Sequence, residues 1–387
     1  MTERKAAIVG LGLTEVGKVY GRTARKFAAD AVRLAVADAG LGLSDVDGLL
    51  INSRGGTDLN LSLAGELNLH DLRILSEVNA FGASASIMVA QAAKAVLAGE
   101  AEVVVCAFGD DPRQLGASTG STYRQSSLAA TGFRSAETAS GFLSVNHRYA
   151  VAARRYMEYF GVDQDALGAV AVSQRAWASM NPDAQLRTPL TLDDYHQSRW
   201  IVEPLHLLDC CLVSNGGAAV VVTTPERALS LAQTPVYVRG WGQAHPGYSY
   251  ERGSDFGLVT GASVSGPSAM KMAGVSVGDI DIREIYDCYT YTALVTLEDY
   301  GFCEKGEAGQ LALSGALAPG GELPTNTGGG QLSSFYLWGM TPLVEAVTQV
   351  RGQAGERQVA RHNVAIVSGN GGILDHHGTL ILSDQND

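Results

Sequence analysis

The feature that most constrains this chain is an internal repeat. The segment A-G-L-G-L-S-D-V-D-G-L-L-I-N, from Ala39 to Asn52, returns as A-G-V-S-V-G-D-I-D-I-R-E-I-Y-D from Ala273 to Asp287. The spacing that separates Asp45 from Asp279 also joins Ala39 to Ala273 and Asp47 to Asp281. Around the first copy, an apolar strand from Ala6 to Leu13 precedes an amphipathic helix from about Ala24 to Ala39, stopped by Gly40, and a second strand from Gly48 to Asn52. Further on, V-N-A-F-G-A-S-A-S leads into an alanine-rich helix, Ile87 to Leu97, closed by Gly99 and followed by a strand from Val103 to Phe108. Downstream of each copy comes a strand-to-helix segment carrying Asn and glycine, Asn79 to Ser86 and Asn326 to Tyr336. Each half then closes on an apolar strand, V-V-V-C-A-F-G-D or N-V-A-I-V-S-G-N-G-G. Apolar strands alternating with helices predict a parallel or mixed sheet covered on both faces. The chain is a duplicated α/β unit.

An excursion from about Asp111 to Arg199 has no counterpart after the second copy. It is mostly helical by pattern, with helices over Val145 to Tyr159 and Asp163 to Met180 and a loop at N-P-D-A-Q-L-R-T-P-L. The first half resumes at Pro204, with a strand from Ala218 to Thr223. The expected division is residues 1–111 with 200–228, a helical segment 112–199, and 229–387. Arg148, Tyr149, Arg154, Arg155, Tyr156, Arg175, Arg187 and Arg199 on the excursion either contact an anionic, adenine-bearing ligand or coat a solvated helix surface.

Composition narrows the function classes. A formal net charge of -12 and no Lys/Arg run argue against a nucleic-acid partner, whose phosphates call for a basic surface. The apolar run at the amino end is too short for a signal peptide, and no apolar stretch is expected to reach the length a membrane span requires, so the expected location is cytoplasmic. Cys106, Cys210, Cys211, Cys288 and Cys303 form no C-x-x-C pair and are expected to be free thiols. V-G-L-G-L-T-E-V-G at Val9 to Gly17 lacks the spacing of a dinucleotide loop. His376 and His377, adjacent on a strand, point to opposite faces, which favours capping or a single contact over joint metal ligation.

The stretch N-T-G-G-G-Q-L-S-S-F-Y-L-W-G, Asn326 to Gly339, has the character of a loop that delivers side chains. Gly328, Gly329 and Gly330 permit close backbone approach. Leu343, Val344, Ala346, Val347 and Val350 then mark one face of a following helix. Tyr336 is the candidate for delivery, since a phenol can donate, accept or transfer a proton; the alternative is a core tyrosine with a satisfied hydroxyl.

N-P-D-A-Q-L-R-T-P-L-T, D-C-C with S-N-G-G-A-A-V-V-V, and L-E-D-Y-G-F-C-E-K-G-E, set on a duplicated core, resemble the thiolase superfamily over essentially the whole chain. The resemblance is strongest to sterol-carrier-protein X-type thiolases and to thiolase-like "lipid-transfer protein" aldolases of bacterial steroid degradation. It implies a five-layered αβαβα thiolase fold, a duplicated βαβαβαββ core with a mainly helical insertion in the first half. Family thiolases carry a nucleophilic cysteine in a loop similar to N-x-N-C-S-T-G, where this chain has Gly82. Tyr336 stands at the position of their histidine, Ser368 at their second cysteine, and Tyr286 at the Asn or His of another motif.

Without those thiols, acyl transfer loses its nucleophile. What the resemblance retains is a backbone oxyanion hole at Gly82 and Asn370, together with the tyrosine pair that similar steroid side-chain aldolases use. Asp287, Ser368 and Gly371 are supporting candidates, Asp287 either orienting the site or anchoring a loop. Ser333 and Ser334 either bond near the site or cap a turn, and Tyr289 and Tyr291 are expected to pack. The implied activity is retro-aldol cleavage of a β-hydroxyacyl-CoA steroid side chain, such as a 17-hydroxy steroid C20-carboxyl-CoA giving a 17-ketosteroid and propionyl-CoA. The alternatives are a non-catalytic acyl-CoA-binding scaffold subunit and an acyltransferase using Cys106 or Cys288. The resemblance further implies a homodimer, a small OB-fold partner, and no cofactor or metal beyond the CoA carried by the substrate.

Overall fold

A computed structural model describes residues 5–52, 59–117, 131–142 and 144–386. The first half contains β1 (Ala7–Leu13), α1 (Ala24–Asp38), β2 (Gly48–Asn52), α2 (Leu59–Glu66), β3 (Ile74–Glu77), α3 (Ser84–Ala98) and β4 (Val103–Asp110). The excursion carries α4 (Phe133–Ala139), α5 (Val145–Phe160), α6 (Gln164–Ser179), α7 (Leu192–Gln197) and a hairpin of β5 (Trp200–Val202) and β6 (Leu205–His206). Residues 118–130 and 143 of it lie outside the described residues. β7 (Gly216–Thr223) and α8 (Pro225–Ala228) return to the first half. The second half runs β8 (Val236–Ala244), α9 (Ala262–Ala273), β9 (Ile282–Glu284), α10 (Thr290–Asp299), α11 (Ala308–Leu313), α12 (Met340–Val350), β10 (Val364–Gly371) and β11 (His376–Ser383).

The duplication is written into the sheet. Its order is β3-β2-β4-β7-β1-β8-β11-β10-β9, and the halves meet where Ala7 pairs with Tyr237 and Ile8 with Val236. Outward from that seam, both halves repeat one order, with an isolated parallel bridge from Arg283 to Thr325 in the place that β3 takes. The repeated aspartates do the same work twice. Asp45 accepts from Gly42 N and Asp279 from Ser276 N, each at 2.8 Å. Asp47 accepts from the amides of Glu102 and Val103, as Asp281 does from Asn363 and Val364.

Layering follows from which faces are apolar. α1 buries Phe27, Ala28, Ala31, Val32 and Ala35 against β1, β4 and β7 on one outside. Helices α3 and α12 lie between the halves and each touches strands of both; α9 covers β8 and β11 on the far side, with α10 packed on it. Helix, sheet, helix, sheet, helix is thus the sequence of layers. A helix between two sheets is apolar nearly all round, and α3 buries Ala85, Met88, Val89, Ala92 and Val96 alike. This corrects one expectation: Phe81–Ala98 has the length and apolarity of a membrane span. Its apolarity is that of a core helix clad by sheet on both sides.

The glycines of V-G-L-G-L belong to packing. A Cβ on Gly10 would stand 2.1 Å from Ala35 O and one on Gly12 2.2 Å from Ala31 O, so α1 can sit against β1 only over bare backbone. Gly240 and Gly242 on β8 repeat the device beneath α9. A second correction concerns the segments expected to correspond. Phe81–Gly82 before α3 is matched by Trp338–Gly339 before α12, with φ of 50° at Phe81 and 51° at Trp338. The Asn326 to Tyr336 stretch is therefore an addition ahead of that turn, lengthened further by α10 and α11.

Candidate active site

Tyr286 leaves the end of β9 on the run into α10. Ile285 N donates to Asn326 Oδ1 at 2.6 Å, fixing the strand end against the start of the glycine loop. The Asp287 carboxylate accepts from Gln331 N at 2.9 and 3.0 Å and from Leu332 N at 3.3 Å. Asp287 is thus the loop anchor of the two roles open for it. Burial pushes its carboxyl up to about 7, against the bonds from those amides.

The loop itself turns as a π-helix over Gly330–Ser334 and emerges extended at Phe335. At Gly330 φ is 59°, and a Cβ there would stand 2.3 Å from Asp287 Oδ2, so only glycine fits beneath the anchor. Main-chain amides of Gln185, Leu186 and Leu212 donate to the carbonyls of Ser334, Ser333 and Gln331. Arg175 Nε donates to Ser333 Oγ at 2.9 Å and Asn181 Nδ2 to Ser334 Oγ at 3.2 Å, which settles those serines as clamps within the loop. Tyr336 N donates to Ser214 Oγ at 2.9 Å.

These clamps bring Tyr336 Oη to 3.0 Å from Tyr286 Oη, with the rings edge to face at 6.4 Å. Tyr286 is buried and Tyr336 half-buried. Burial and the neighbouring Cys288 raise the Tyr286 phenol well above its ordinary value, and the bond to Tyr336 offsets this only in part. Two phenols at this distance share a hydrogen bond, one hydroxyl donating to the other oxygen.

Gly82 lies under the same ring. A Cβ at Gly82 would stand 2.3 Å from Tyr286 Cε2 and Cζ and 2.3 Å from Asn370 O. The Tyr286 ring therefore occupies the space that a side chain at position 82 would need, and the main chains of Gly82 and Asn370 abut beside it. Gly371 is equally constrained, since its Cβ would fall 1.9 Å from Ala80 O. Ser368 is engaged elsewhere: its hydroxyl bonds His377 Nε2 at 3.1 Å, in a buried row with Tyr300 and Thr379.

His376 and His377 do face opposite ways. His376 Nδ1 meets His245 Nδ1 at 3.0 Å, while burial lowers His377 to about 3. Among the described residues no group of three or more His, Cys, Asp or Glu side chains could hold a metal ion. The five cysteines are free. Burial raises the thiol of Cys106 and pushes Cys288 up to about 12, so neither is activated as a thiolate nucleophile. Of the excursion residues, Arg148 pairs with Glu137, Arg154 with Glu203, and Arg175 holds the loop. Their contacts are within the protein.

Behind the loop is a cavity of about 290 Å³ that neither tyrosine lines; Glu284, Asn326, Glu345 and Arg357 are in its wall. Thr327 Oγ1 bonds Glu284 Oε1 at 2.8 Å and Glu345 Oε1 at 3.0 Å. A hydroxyl has one hydrogen to give, so one carboxyl must supply the other. Arg357 grips both oxygens of Glu345, which leaves the proton to Glu284, in keeping with burial and the Glu345 charge raising its pKa well above the ordinary range. Ser214, Gln185, Arg175 and Asn181 were not identified from sequence as supports of Tyr336; nothing in a serine or glutamine far along the chain signals a contact of that kind.

Comparisons with known proteins agree with this architecture. The thiolase N-terminal domain profile matches residues 6–226 and the thiolase C-terminal domain-like profile matches residues 242–384. The steroid side-chain-cleaving aldolase of Thermomonospora curvata is 39% identical, with 95% of each chain covered. The 17-hydroxy-3-oxo-4-pregnene-20-carboxyl-CoA lyase of Mycobacterium tuberculosis is 35% identical, over 96% of this chain and 98% of that one. The solved Ltp2-ChsH2(DUF35) aldolase superposes with a TM-score of 0.88 at 37% identity, covering 99% of this chain and 98% of that chain. With both thiolase domains matched, this chain belongs to the thiolase family, as a relative of its steroid side-chain-cleaving aldolases.

Proposed function

We propose that this chain is a carbon–carbon lyase that cleaves a β-hydroxyacyl-CoA by retro-aldol chemistry, with a 17-hydroxy steroid C20-carboxyl-CoA as substrate. The observation that carries it is the tyrosine pair, two phenol oxygens 3.0 Å apart over a glycine that has no room for a nucleophile. The thioester oxygen lies against the main chains of Gly82 and Asn370, whose N–H groups stabilise it as charge develops. One tyrosine takes the β-hydroxyl proton as the Cα–Cβ bond breaks; the bonding electrons pass into the thioester enolate and the β-carbon becomes a ketone. The enolate carbon then takes a proton, so atoms balance as a ketosteroid plus propionyl-CoA. Tyr336 Oη takes the hydroxyl proton while passing its own across the 3.0 Å contact to Tyr286 Oη, and Tyr286, whose burial disfavours a phenolate, gives its proton to the enolate carbon, so both phenols end neutral.

The names of the two relatives, a steroid side-chain aldolase and a pregnene carboxyl-CoA lyase, support this choice of substrate. A small OB-fold partner is part of the proposal, in keeping with the two-component Ltp2-ChsH2(DUF35) aldolase, as is a homodimer. The test is to incubate the chain, alone and with such a partner, with the 17-hydroxy thioester and follow products by mass spectrometry. A 17-ketosteroid with propionyl-CoA is expected. Thioester that stays intact under both conditions while binding measurably would instead favour a non-catalytic scaffold.

A further inference from the structure

Two histidines outside the tyrosine site meet nitrogen to nitrogen. His377 pairs with Ala244 across β11 and β8, and one step further toward the strand ends His376 stands opposite His245. Directly opposed residues of an antiparallel pair send their side chains to the same face, with Cβ atoms about 4.5–5.5 Å apart. Here the two Nδ1 atoms come to 3.0 Å, with ring centroids 5.2 Å apart and the rings at 67°. His376 is half-buried, and the Phe81 ring stacks on it with centroids 6.4 Å apart and 18° between planes. His245 is exposed, so the pair opens to solvent and an ion can reach it.

A contact between two imidazole nitrogens needs a lone pair on at least one of them, because two N–H groups would meet head on. A proton is the smallest cation that this spacing holds, and a metal ion fits it as well. Imidazole nitrogens bind divalent transition metals at about 2.0–2.1 Å, and two such bonds at a right angle place the nitrogens about 3.0 Å apart. That is the observed separation. A right angle belongs to the tetragonal shells of copper(II) and nickel(II), whereas the wider angle of tetrahedral zinc asks for about 3.4 Å. Asp375 supplies no third ligand, since its Oδ2 accepts from Ile373 N at 3.0 Å and its Oδ1 is enclosed by protein. We propose that His245 and His376 chelate a divalent transition-metal ion of tetragonal preference through their Nδ1 atoms, with water completing its shell. In the filled site both rings carry their hydrogen on Nε2; the one that lay between them exchanges there through water, so the neutral pair takes the ion without net release of a proton. The ion ties the end of β8 to the start of β11 beside Phe81, and it takes no part in the chemistry of the tyrosine pair.

The test titrates the untagged chain, first stripped with a chelator, with nickel chloride by calorimetry. Saturable uptake of one ion per chain is expected, and magnesium, a hard cation that prefers oxygen ligands, is expected not to compete. His245→Gln and His376→Gln are each expected to weaken nickel binding about 100-fold or more, since even loss of a group behind a metal ligand costs about 10–100-fold. Copper(II) added at one equivalent to the natural chain gives a second answer that needs no variant. Its electron paramagnetic resonance spectrum is expected to show splitting from a pair of imidazole nitrogens, and each variant to lose that pattern. Absence of uptake by the natural chain, displacement by magnesium, unchanged nickel binding in either variant, or a copper spectrum without the paired-nitrogen pattern overturns the site.

Discussion

The two halves of the molecule use one backbone plan for different ends. Asn52 and Tyr286 hold the same place in the repeat, at the end of β2 and just past β9. Asn52 donates from Nδ2 to Val78 O at 2.8 Å and closes the turn toward α3, a purely structural contact. Tyr286 instead meets Tyr336 across the added loop. At the next matched place, Gly339 is crowded by Gly82 O, 2.2 Å from where its Cβ would be, so the two turns stand back to back at the centre. The first half contributes room and backbone; the second contributes phenols. Duplication made this division possible, because the first copy could keep the fold while the second took on a longer loop.

The comparison is broken most directly at the tyrosines. Tyr286→Phe with Tyr336→Phe is expected to lower kcat by about 10³-fold or more, the scale of lost general acid and base catalysis, with an unchanged thermal midpoint. Retained turnover in a steady-state assay would mean that the chemistry lies elsewhere. Next in size is Gly82→Ala, where a single methyl displaces the Tyr286 ring and is expected to cost about 10²-fold in kcat. The corresponding Gly82→Cys is expected to gain no acyltransferase activity in a thiolysis assay, because the ring fills the space the thiol needs.

The carboxyl pair behind the loop sharpens the comparison from the stability side. Glu345→Gln strands the buried Arg357 guanidinium and is expected to destabilise by about 3 kcal/mol in urea unfolding. Glu284→Gln replaces a protonated carboxyl by an isosteric amide and is expected to change stability by less than about 1 kcal/mol at pH 7. The pH dependence has a definite sign. Glu284 binds its proton more tightly folded than unfolded, so this group's contribution is fully present at low pH and is lost as pH rises above the ordinary carboxylate range toward its raised pKa. Glu284→Gln flattens that limb of a stability–pH curve. Smallest is Asn52→Ala, expected to cost about 1–2 kcal/mol of stability with kcat per folded molecule unchanged. A fall in kcat there would show that the first half is not merely scaffold.

Much of the frame was legible because it rests on local pattern. β2 occupies Gly48–Asn52 as expected, α12 carries the anticipated apolar face, and the repeated aspartates cap matching strands. The resemblance placed Tyr286 and Tyr336 in corresponding motifs, but only the folded chain brings their oxygens to 3.0 Å. What stayed hidden depends on distant partners. Ser214 reveals nothing in sequence of its bond to the Tyr336 amide, nor Arg175 of its hold on Ser333. The π-turn at Gly330–Ser334 has no periodicity of its own, and the glycine pairs under α1 and α9 could be found only once the helices were seen lying on them. Ser368, marked by its motif position, proves to be bonded to a buried histidine instead.

The clamps on the Tyr336 loop also set an order of events during folding. Ser214 holds the Tyr336 amide and Arg175 holds Ser333, so the loop is fixed by partners in the first half and the excursion and not by its own segment. The sheet needs closures at least as long, since Ala7 pairs with Thr223; the clamps additionally require the excursion to be docked. The tyrosine pair therefore comes into register only once both halves and the excursion are in place, and in a refolding chain regained activity does not precede the return of the circular dichroism signal.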